Sequence, residues 1–250
     1  MADNAIFIVT ILLALAYAYS NGVNDAANAI ATVVSTRVLT PVAALAMGAS
    51  LQLVGALHVY FFLGPKVAKT IGKGLVDPSF INEYTVMAAI GASVIWVLGA
   101  TRLGFPVSVS HSLVASVVGA GLASGGTEAI VAGGFTKVLV ALAVSPLIGF
   151  GASYVVMLGL YWLLHKTSPH AVRITFSKLH IMSGAFMAYS HGKNDGQNAM
   201  GIIALATFIH LGGPELTVDL WMVLVSALSM STGTAVGGWR VIRTLGMRVT

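Results

Sequence analysis

Ser20-Asn21-Gly22-Val23-Asn24-Asp25 recurs 170 residues later as Ser190-His191-Gly192-Lys193-Asn194-Asp195. Over residues 18–30 this offset gives eight identities in thirteen positions, where background composition would give roughly one. Each copy lies inside a long apolar segment, so the polar residues interrupt what would otherwise be a continuous hydrophobic helix. The chain is therefore predicted to contain an internal repeat with a polar centre in each copy.

The composition indicates that this repeat lies in a membrane. Apolar residues make up 57% of the 250 positions and charged residues 8%, against about 25% charged in a soluble domain. The mean hydropathy is +0.90, and several apolar runs reach the ~20 residues that a membrane span needs. Because backbone groups in lipid must be satisfied internally, and no ten-residue alternation is present, we predict an all-α polytopic membrane protein.

Two classes of site are excluded by the residues present. The chain has no cysteine, which excludes disulfides, thiolate catalysis and cysteine-based metal sites. Its net charge of +5 comes from cations scattered between apolar runs, without the basic cluster that nucleic-acid binding requires. We therefore expect no nucleic-acid partner and assign the positive charges to membrane topology.

The order of apolar segments divides the chain into two units. Residues 1–165 hold the first repeat: two spans, a helical hairpin at 84–124 and one further span. Residues 166–177 are predicted to be a cytoplasmic loop, and 178–250 to be a second repeat that stops before any second hairpin. Because the hairpin returns to the side it left, an odd number of net crossings separates the two motifs, which predicts inverted repeats.

The positive charges give the orientation. Seven Lys and Arg residues fall on one predicted side and three on the other. The first group is Arg37, Lys166, Arg173, Lys178, Arg240, Arg243 and Arg248, and the second is Lys66, Lys69 and Lys73. The positive-inside rule makes the first side cytoplasmic. We therefore expect a multi-pass protein of the cell membrane (inner or plasma) with its N-terminus outside.

The repeated motif carries chemistry that a membrane span rarely holds. An Asp at mid-membrane costs ~2.5–3.5 kcal/mol on insertion scales, so Asp25 and Asp195 need a bound cation, a proton or a cavity, although each could also cap a half-helix. Gly22 and Gly192 are predicted to break their helices there and to expose backbone carbonyl and N–H groups. These oxygens suit a hard cation, for which the candidate ligands are Asn24, Asp25, Asn194 and Asp195. Asn28 and Asn198 lie one turn further on and offer neutral amide donors.

The tip of the hairpin, residues 105–112, forms a second polar motif. Pro106 breaks the helix, and Ser108, Ser110 and the N–H groups that open the next helix can donate to an oxyanion. An ordinary Pro-Ser turn at the membrane surface is the alternative. Nearby, Lys193 could contact an anion, replace a coupling cation or face a vestibule, and Arg102 could face the anion or extend to the interface.

Taken together, these motifs resemble the inorganic phosphate transporters known as Pit permeases. That family repeats Gly-x-Asn-Asp-x-x-Asn, present here at residues 22–28 and 192–198, and carries a Pro-Ser-rich hairpin tip ending in His, present at 106–111. The resemblance covers the whole chain. It implies inverted repeats with broken helices, and a symporter that couples phosphate uptake to H⁺ or Na⁺. The substrate-binding residues it implies are Asp25, Asn28, Ser108, Ser110, Asp195 and Asn198.

The resemblance also implies what the protein works with. The expected partners are inorganic phosphate, H⁺ or Na⁺ and the lipid bilayer, and a homodimer is an assembly to test. No cofactor is expected except Na⁺ as a coupling ion. A sulfate or other oxyanion permease of the same fold is the alternative. A membrane phosphoester hydrolase is disfavoured, because Ser110 and His111 are adjacent and point apart on a helix, so we expect no enzymatic activity.

Overall fold

The computed structural model describes residues 2–66, 74–103, 105, 107–212 and 215–237. Pro106, Lys69, Lys73, Arg240, Arg243 and Arg248 lie outside the described residues. Seven α-helices make up most of the described chain: α1 (Ala2–Ser35), α2 (Pro41–His58), α3 (Glu83–Leu103), α4 (Val109–Gly125), α5 (Ala132–Leu164), α6 (Pro169–Leu211) and α7 (Leu220–Gly237). The predicted all-α fold is confirmed, and α3 and α4 form the hairpin expected at 84–124.

Within the described ranges, six helical segments are long and apolar enough to cross a membrane: Asn4–Ser35, Pro41–Leu63, Glu83–Leu103, Val109–Ala129, Ala132–Leu164 and Leu220–Gly237. The remaining helix, α6, is more polar and has 43 residues. At 1.5 Å per residue it is about 65 Å long, roughly twice the thickness of a hydrocarbon core. It starts inside the predicted loop at 166–177, because Pro169 occupies its first turn and Ser168 caps the N–H of Ala171.

The prediction of broken helices is wrong. Both α1 and α6 run without interruption through the motifs at 22–28 and 192–198. The glycines serve close helix packing instead: a Cβ on Gly22 would lie 2.0 Å from the carbonyl oxygen of Met230, and one on Gly192 would lie 2.0 Å from that of Gln52. Because an apolar medium favours unbroken backbone hydrogen bonding, the polar side chains find partners on other helices and the backbone stays helical.

These glycine contacts define two matched helix pairs. α1 packs against α7, where Gly22 faces Met230 and Gly233 faces the carbonyl of Tyr19. α6 packs against α2 in the same way, where Gly192 faces Gln52 and Gly55 faces the carbonyl of Tyr189. Each motif-bearing helix thus packs closely against a helix from the other half of the chain, α1 against α7 and α6 against α2.

The two motif-bearing helices also contact each other. The contacts pair Tyr17 with Asn198, Asp25 with His191 and Thr32 with His180. Since the numbers rise on α1 while they fall on α6, the two helices are antiparallel. The two copies of the motif therefore lie side by side in opposite directions.

The hairpin covers one side of this pair, whereas α5 stands apart. Side chains from α1, α3, α4 and α6 share the largest buried apolar cluster, which includes Tyr17, Ile90, Leu113 and Ile203. α5 contains no buried residue, although it is apolar around its whole circumference. A helix of that kind suits lipid on every side. The hairpin therefore brings its tip to the crossing of α1 and α6.

Candidate functional site

The two copies of the motif meet at one cluster of charged side chains. Nε2 of His191 lies 3.1 Å from Oδ2 of Asp195, one turn along α6, and 3.5 Å from Oδ2 of Asp25 on α1. One ligand atom from each of these three residues lies within 4.8 Å of the other two. The antiparallel crossing of α1 and α6 thus brings together two carboxylates that are 170 positions apart in sequence.

Burial makes this arrangement costly without a counter-charge. Asp25 is 6% exposed, and its Oδ1 accepts a hydrogen bond of 3.1 Å from Nδ2 of Asn28. The Asp195 side chain is more open, at 26%. Two carboxylates this close repel each other strongly in a medium poorer in water than bulk solvent. The pair can therefore hold a cation or a proton, for which His191 supplies a nitrogen between them.

The hairpin tip adds hydroxyl groups to the carboxylates. Oγ of Ser110 donates to Oδ1 of Asp195 at 3.3 Å and accepts from Nδ2 of Asn198 at 2.9 Å. Ser108 is the N-cap of α4, and its Oγ accepts from the N–H of His111 at 3.3 Å. The N-terminus of α4 therefore points into the site, where free N–H groups and the helix dipole favour an anion.

Two buried residues hold the hairpin in this position. Asn24, 2% exposed, donates from Nδ2 to Oγ1 of Thr101 at 2.9 Å, and its Oδ1 accepts from the N–H of Val107 at 3.5 Å. Tyr17 donates from its hydroxyl to the carbonyl of Val109 at 3.2 Å. Both contacts join α1 to the hairpin, so the tip is tied to the helix that carries Asp25.

A cavity of about 490 Å³ opens between these groups. Its lining residues are Asp25, Asn28, Val107, Ser108, Ser110, His191 and Asp195. A larger groove of about 640 Å³ lies along the outer face of the hairpin and shares Val107 and Ser108 with the cavity. The groove is mostly apolar and lacks a carboxylate, so the smaller cavity is the candidate site.

Most of the predicted site residues come together here, but Asn194 does not. Asp25, Asn28, Ser108, Ser110 and Asp195 line the cavity, and Asn198 bonds to Ser110 in its wall. Asn194 is exposed, whereas its counterpart Asn24 is buried beneath the hairpin. Asn194 is therefore not among the described residues that line the cavity, and its role as a cation ligand stays a prediction.

The structure gives the positions of Arg102 and Lys193, the two basic residues whose roles the sequence did not decide. Arg102 is exposed, in the last turn of α3, which agrees with a side chain that extends to the interface. Lys193 is partly exposed and is not among the described residues that line the cavity.

Sequence reasoning missed several polar residues that support the site. Gln52 on α2 lies 2.9 Å from His191, Thr101 holds Asn24, and Tyr17 accepts a hydrogen bond of 3.4 Å from Nδ2 of Asn198. A glutamine inside an apolar span was a usable signal, because a buried amide needs partners. Tyr17 and Thr101 gave no comparable signal, since both residue types are common in membrane helices.

The arrangement can bind an anion and a cation at once. Hydroxyl, amide and helix N–H groups are donors for an oxyanion, and the carboxylates are acceptors for a protonated oxygen or ligands for a cation. Ser110 and His191 are not aligned as nucleophile and base, since Ser110 bonds to Asp195 and Asn198.

Comparisons with known families, sequences and structures all find phosphate transporters as similar proteins. Residues 21–250 match the model of the phosphate transporter family. A probable low-affinity inorganic phosphate transporter of Rhizobium meliloti (strain 1021) is 38% identical over 241 residues, which cover 96% of this chain and 71% of that protein. A protein of the same description from Bacillus subtilis (strain 168) is 37% identical over 248 residues, 97% of this chain and 72% of its own. A solved structure described as the sodium-dependent phosphate transporter has a TM-score of 0.86 at 24% identity, over 98% of this chain and 79% of that one, so the two share a fold.

Proposed function

We propose that this chain, which belongs to the phosphate transporter family, carries inorganic phosphate across the cell membrane by symport with H⁺ or Na⁺. Membership of a transporter family confirms the prediction that the chain is not an enzyme. The observation that carries the proposal is the cavity in which two carboxylates from antiparallel helices meet the hydroxyls of the hairpin tip.

Phosphate fits the donors and acceptors of this cavity. Ser108, Ser110, Asn28 and the N–H groups opening α4 can donate to its ionised oxygens, and Asn198 orients Ser110 from behind. Near neutral pH phosphate also carries at least one P–OH, for which Asp25 or Asp195 is the acceptor. Sulfate has no such proton, so it would leave a buried carboxylate unpaired at a cost of ~1–3 kcal/mol.

The negative charge of the two carboxylates makes a bound cation necessary for phosphate binding. An anion cannot join two nearby carboxylates unless their charge is first neutralised. We infer that H⁺ or Na⁺ binds at Asp25 and Asp195, with Asn24 as a further candidate ligand from the sequence motif, and that this binding makes room for phosphate. The solved structure with the same fold is described as sodium-dependent, which supports Na⁺ as one of the two candidate ions.

The membrane topology is part of the same proposal. The protein spans the membrane several times, and the excess of Lys and Arg in one set of loops supports a cytoplasmic location for that set and an N-terminus outside. The two units at 1–165 and 178–250 are then inverted repeats whose motifs face each other at mid-membrane. Accessibility of single cysteines placed at Asn4 and Lys166 to an impermeant thiol reagent tests this orientation.

Reconstituted vesicles give a direct test of transport. The purified chain in liposomes should accumulate ³²P-phosphate when an inward Na⁺ gradient or an acid-outside gradient is imposed, and sulfate should compete weakly. Ser110→Ala should raise the phosphate KM about tenfold, because one anion contact and its hydrogen bonds are lost. Ser116→Ala is the matched control, since that hydroxyl bonds to the carbonyl of Ser112 in its own helix. Failure to accumulate phosphate under either gradient contradicts the proposal, and equal uptake of sulfate favours the broader oxyanion permease.

A further inference from the structure

The cavity between α1 and α6 is open at one end and closed at the other. At the open end Asn28 is exposed, and the side chain of Asp195 is 26% exposed. At the closed end Tyr17 on α1 is fully buried and Asn198 on α6 is 3% exposed. The hydroxyl of Tyr17 and the amide of Asn198 are joined there by a hydrogen bond of 3.4 Å. In this conformation water therefore reaches the site from one end only.

Asn21 lies within the closed end. It is one helical turn from Tyr17 and one from Asp25, so it shares with both the face of α1 that meets α6. Asn21 is 0% exposed, and neither its Oδ1 nor its Nδ2 has a hydrogen-bond partner in the part of the chain that the structure describes. The amide is therefore unpaired whichever way it is turned.

An amide in this state raises the free energy of the conformation that holds it. Because Asn21 is completely buried, no water-sized space adjoins the side chain, and the hydrogen bonds that it would make in water are lost without replacement. Its buried neighbours are paired: Ser20 donates to the carbonyl of Tyr17, and Asn24 bonds to the hairpin. Of these three described polar residues on α1, Asn21 alone is unpaired.

The hairpin holds the closed end together against this cost. The hydroxyl of Tyr17 donates to the carbonyl of Val109 at the start of α4, and Tyr17 belongs to the same buried apolar cluster as Val97 and Leu113. Movement of the hairpin away from α1 would break these contacts, but it would admit water and give Asn21 its hydrogen bonds. The loss and the gain offset each other in the free energy of opening.

We propose that Asn21 is a conformational device that keeps the closed end of the site able to open. Its amide is unpaired when this end is closed and hydrated when it is open, so it lowers the free energy of opening. A site that serves both sides of a membrane needs its two forms close in energy, because a strongly favoured form is slow to leave. That use of the opening rests on the proposed function, whereas the opening itself does not.

Thiol labelling of a buried reporter measures the opening directly. Ser20→Cys places a thiol beside Asn21 with little change of shape, and Ser20 is fully buried with its hydroxyl bonded to the carbonyl of Tyr17 in the same helix. The chain has no cysteine of its own, so this thiol is the single reactive group. The full chain is studied in lipid nanodiscs, where a small water-soluble methanethiosulfonate reaches both faces. At one fixed pH, the rate of modification reports how often the closed end admits water.

Two substitutions remove the amide of Asn21. Asn21→Leu and Asn21→Val replace it with apolar side chains of similar shape or volume. In either background Ser20→Cys should be modified about tenfold more slowly, because opening no longer gains the hydration of the amide. Ser226→Ala is the matched control: it removes a fully buried hydroxyl on α7 that is also unpaired among the described residues, and it should leave the labelling rate within about twofold.

The outcomes of this experiment are distinct. An unchanged or faster rate in whichever variant of Asn21 folds, as judged by thermal unfolding, overturns the proposal. Loss of folding in both variants also overturns it, because a group that opposes closure is not needed to hold the closed form together. An equal slowing in Ser226→Ala would show that any removal of a buried polar group has this effect, and would likewise refute a particular role for Asn21.

Uptake measurements separate this inference from the transport proposal. Asn21→Leu should lower the maximal rate of phosphate uptake about tenfold, while Ser226→Ala keeps the wild-type rate. An unchanged uptake rate beside slower labelling would overturn the link between this opening and transport. If Asn21→Leu slows labelling but the wild type carries no phosphate, the transport proposal fails and the conformational role of Asn21 stands. If the wild type carries phosphate and labelling is the same in Asn21→Leu, the transport proposal stands and the role of Asn21 is refuted.

Discussion

Replacing Asp25 with Asn removes one of two facing carboxylates while keeping its shape. Oδ1 of residue 25 can still accept the 3.1 Å hydrogen bond from Asn28, so the local packing is preserved. What changes is the charge beside Asp195 and His191. We expect Asp25→Asn to weaken the binding of the coupling cation much more than it affects folding.

The distance between the charges gives the size of the effect. Two unit charges 4.8 Å apart, the limit found for this cluster, repel by about 3.5 kcal/mol at an effective dielectric constant of ~20. Partial exposure of Asp195 lowers this figure to about 2–3 kcal/mol. A bound cation relieves that repulsion in the wild type but not in the variant. The cation concentration for half-maximal uptake should therefore rise about a hundredfold.

The assay measures initial ³²P-phosphate uptake against the concentration of whichever cation drives the wild type, together with thermal unfolding in detergent. Asp219→Asn is the control, because Asp219 is exposed at the start of α7 and Asn caps a helix equally well. The unfolding temperature of Asp25→Asn should be equal to or above that of the wild type, since a buried repulsion is gone. Unchanged cation dependence and rate would falsify the role of Asp25 in coupling and leave it a helix-packing residue.

Three further predictions follow from the packing and the site. Asn24→Ala should reduce phosphate uptake at least tenfold, because it removes the hydrogen bonds to Thr101 and Val107 of the hairpin. Asn194→Ala should have little effect on uptake because Asn194 is exposed, and equal losses of uptake in the two variants would contradict this difference. Gly192→Ala should lower the unfolding temperature by about 2–12 °C, since its Cβ would overlap the carbonyl of Gln52. Gly119→Ala is the control: the space around Gly119 is open, so this variant should have an equal or slightly higher unfolding temperature in the same measurement. Ser108→Ala should weaken the binding of phosphate and of sulfate to the same extent, whereas Asp195→Asn should reduce the preference for phosphate over sulfate, as measured by sulfate competition. An unchanged preference in Asp195→Asn would show that this carboxylate does not contact the anion.

The sequence alone determined the class of the protein and marked most of the residues that the structure brings together in the candidate site. Composition required a membrane, and the repeated motif marked Asp25, Asn28, Asp195 and Asn198 as polar groups that an apolar span cannot leave unpaired. That requirement is strong enough to predict that the two copies meet. Their antiparallel contact follows the same reasoning from the number of crossings, while the superposition of the two units stays a prediction.

The same reasoning failed where a residue had two structural uses. Glycine can open a helix or let another helix approach, and the sequence of Gly22 and Gly192 does not distinguish them. The contacts with Met230 and Gln52 show the second use, which needs the other helix in place to be recognised. Asn24 and Asn194 are identical in the motif, yet in the part of the chain that the structure describes Asn24 is buried beneath the hairpin and Asn194 is exposed.

Only the tertiary structure decided which remote residues serve the site. Gln52 lies 139 positions from His191 and 182 from Thr234, and Tyr17 lies 181 from Asn198. In a membrane span nearly every position is apolar, so the pattern along the chain does not say which face of a helix meets lipid and which meets protein. The polar residues were visible in the sequence, but their partners are chosen by how the helices pack.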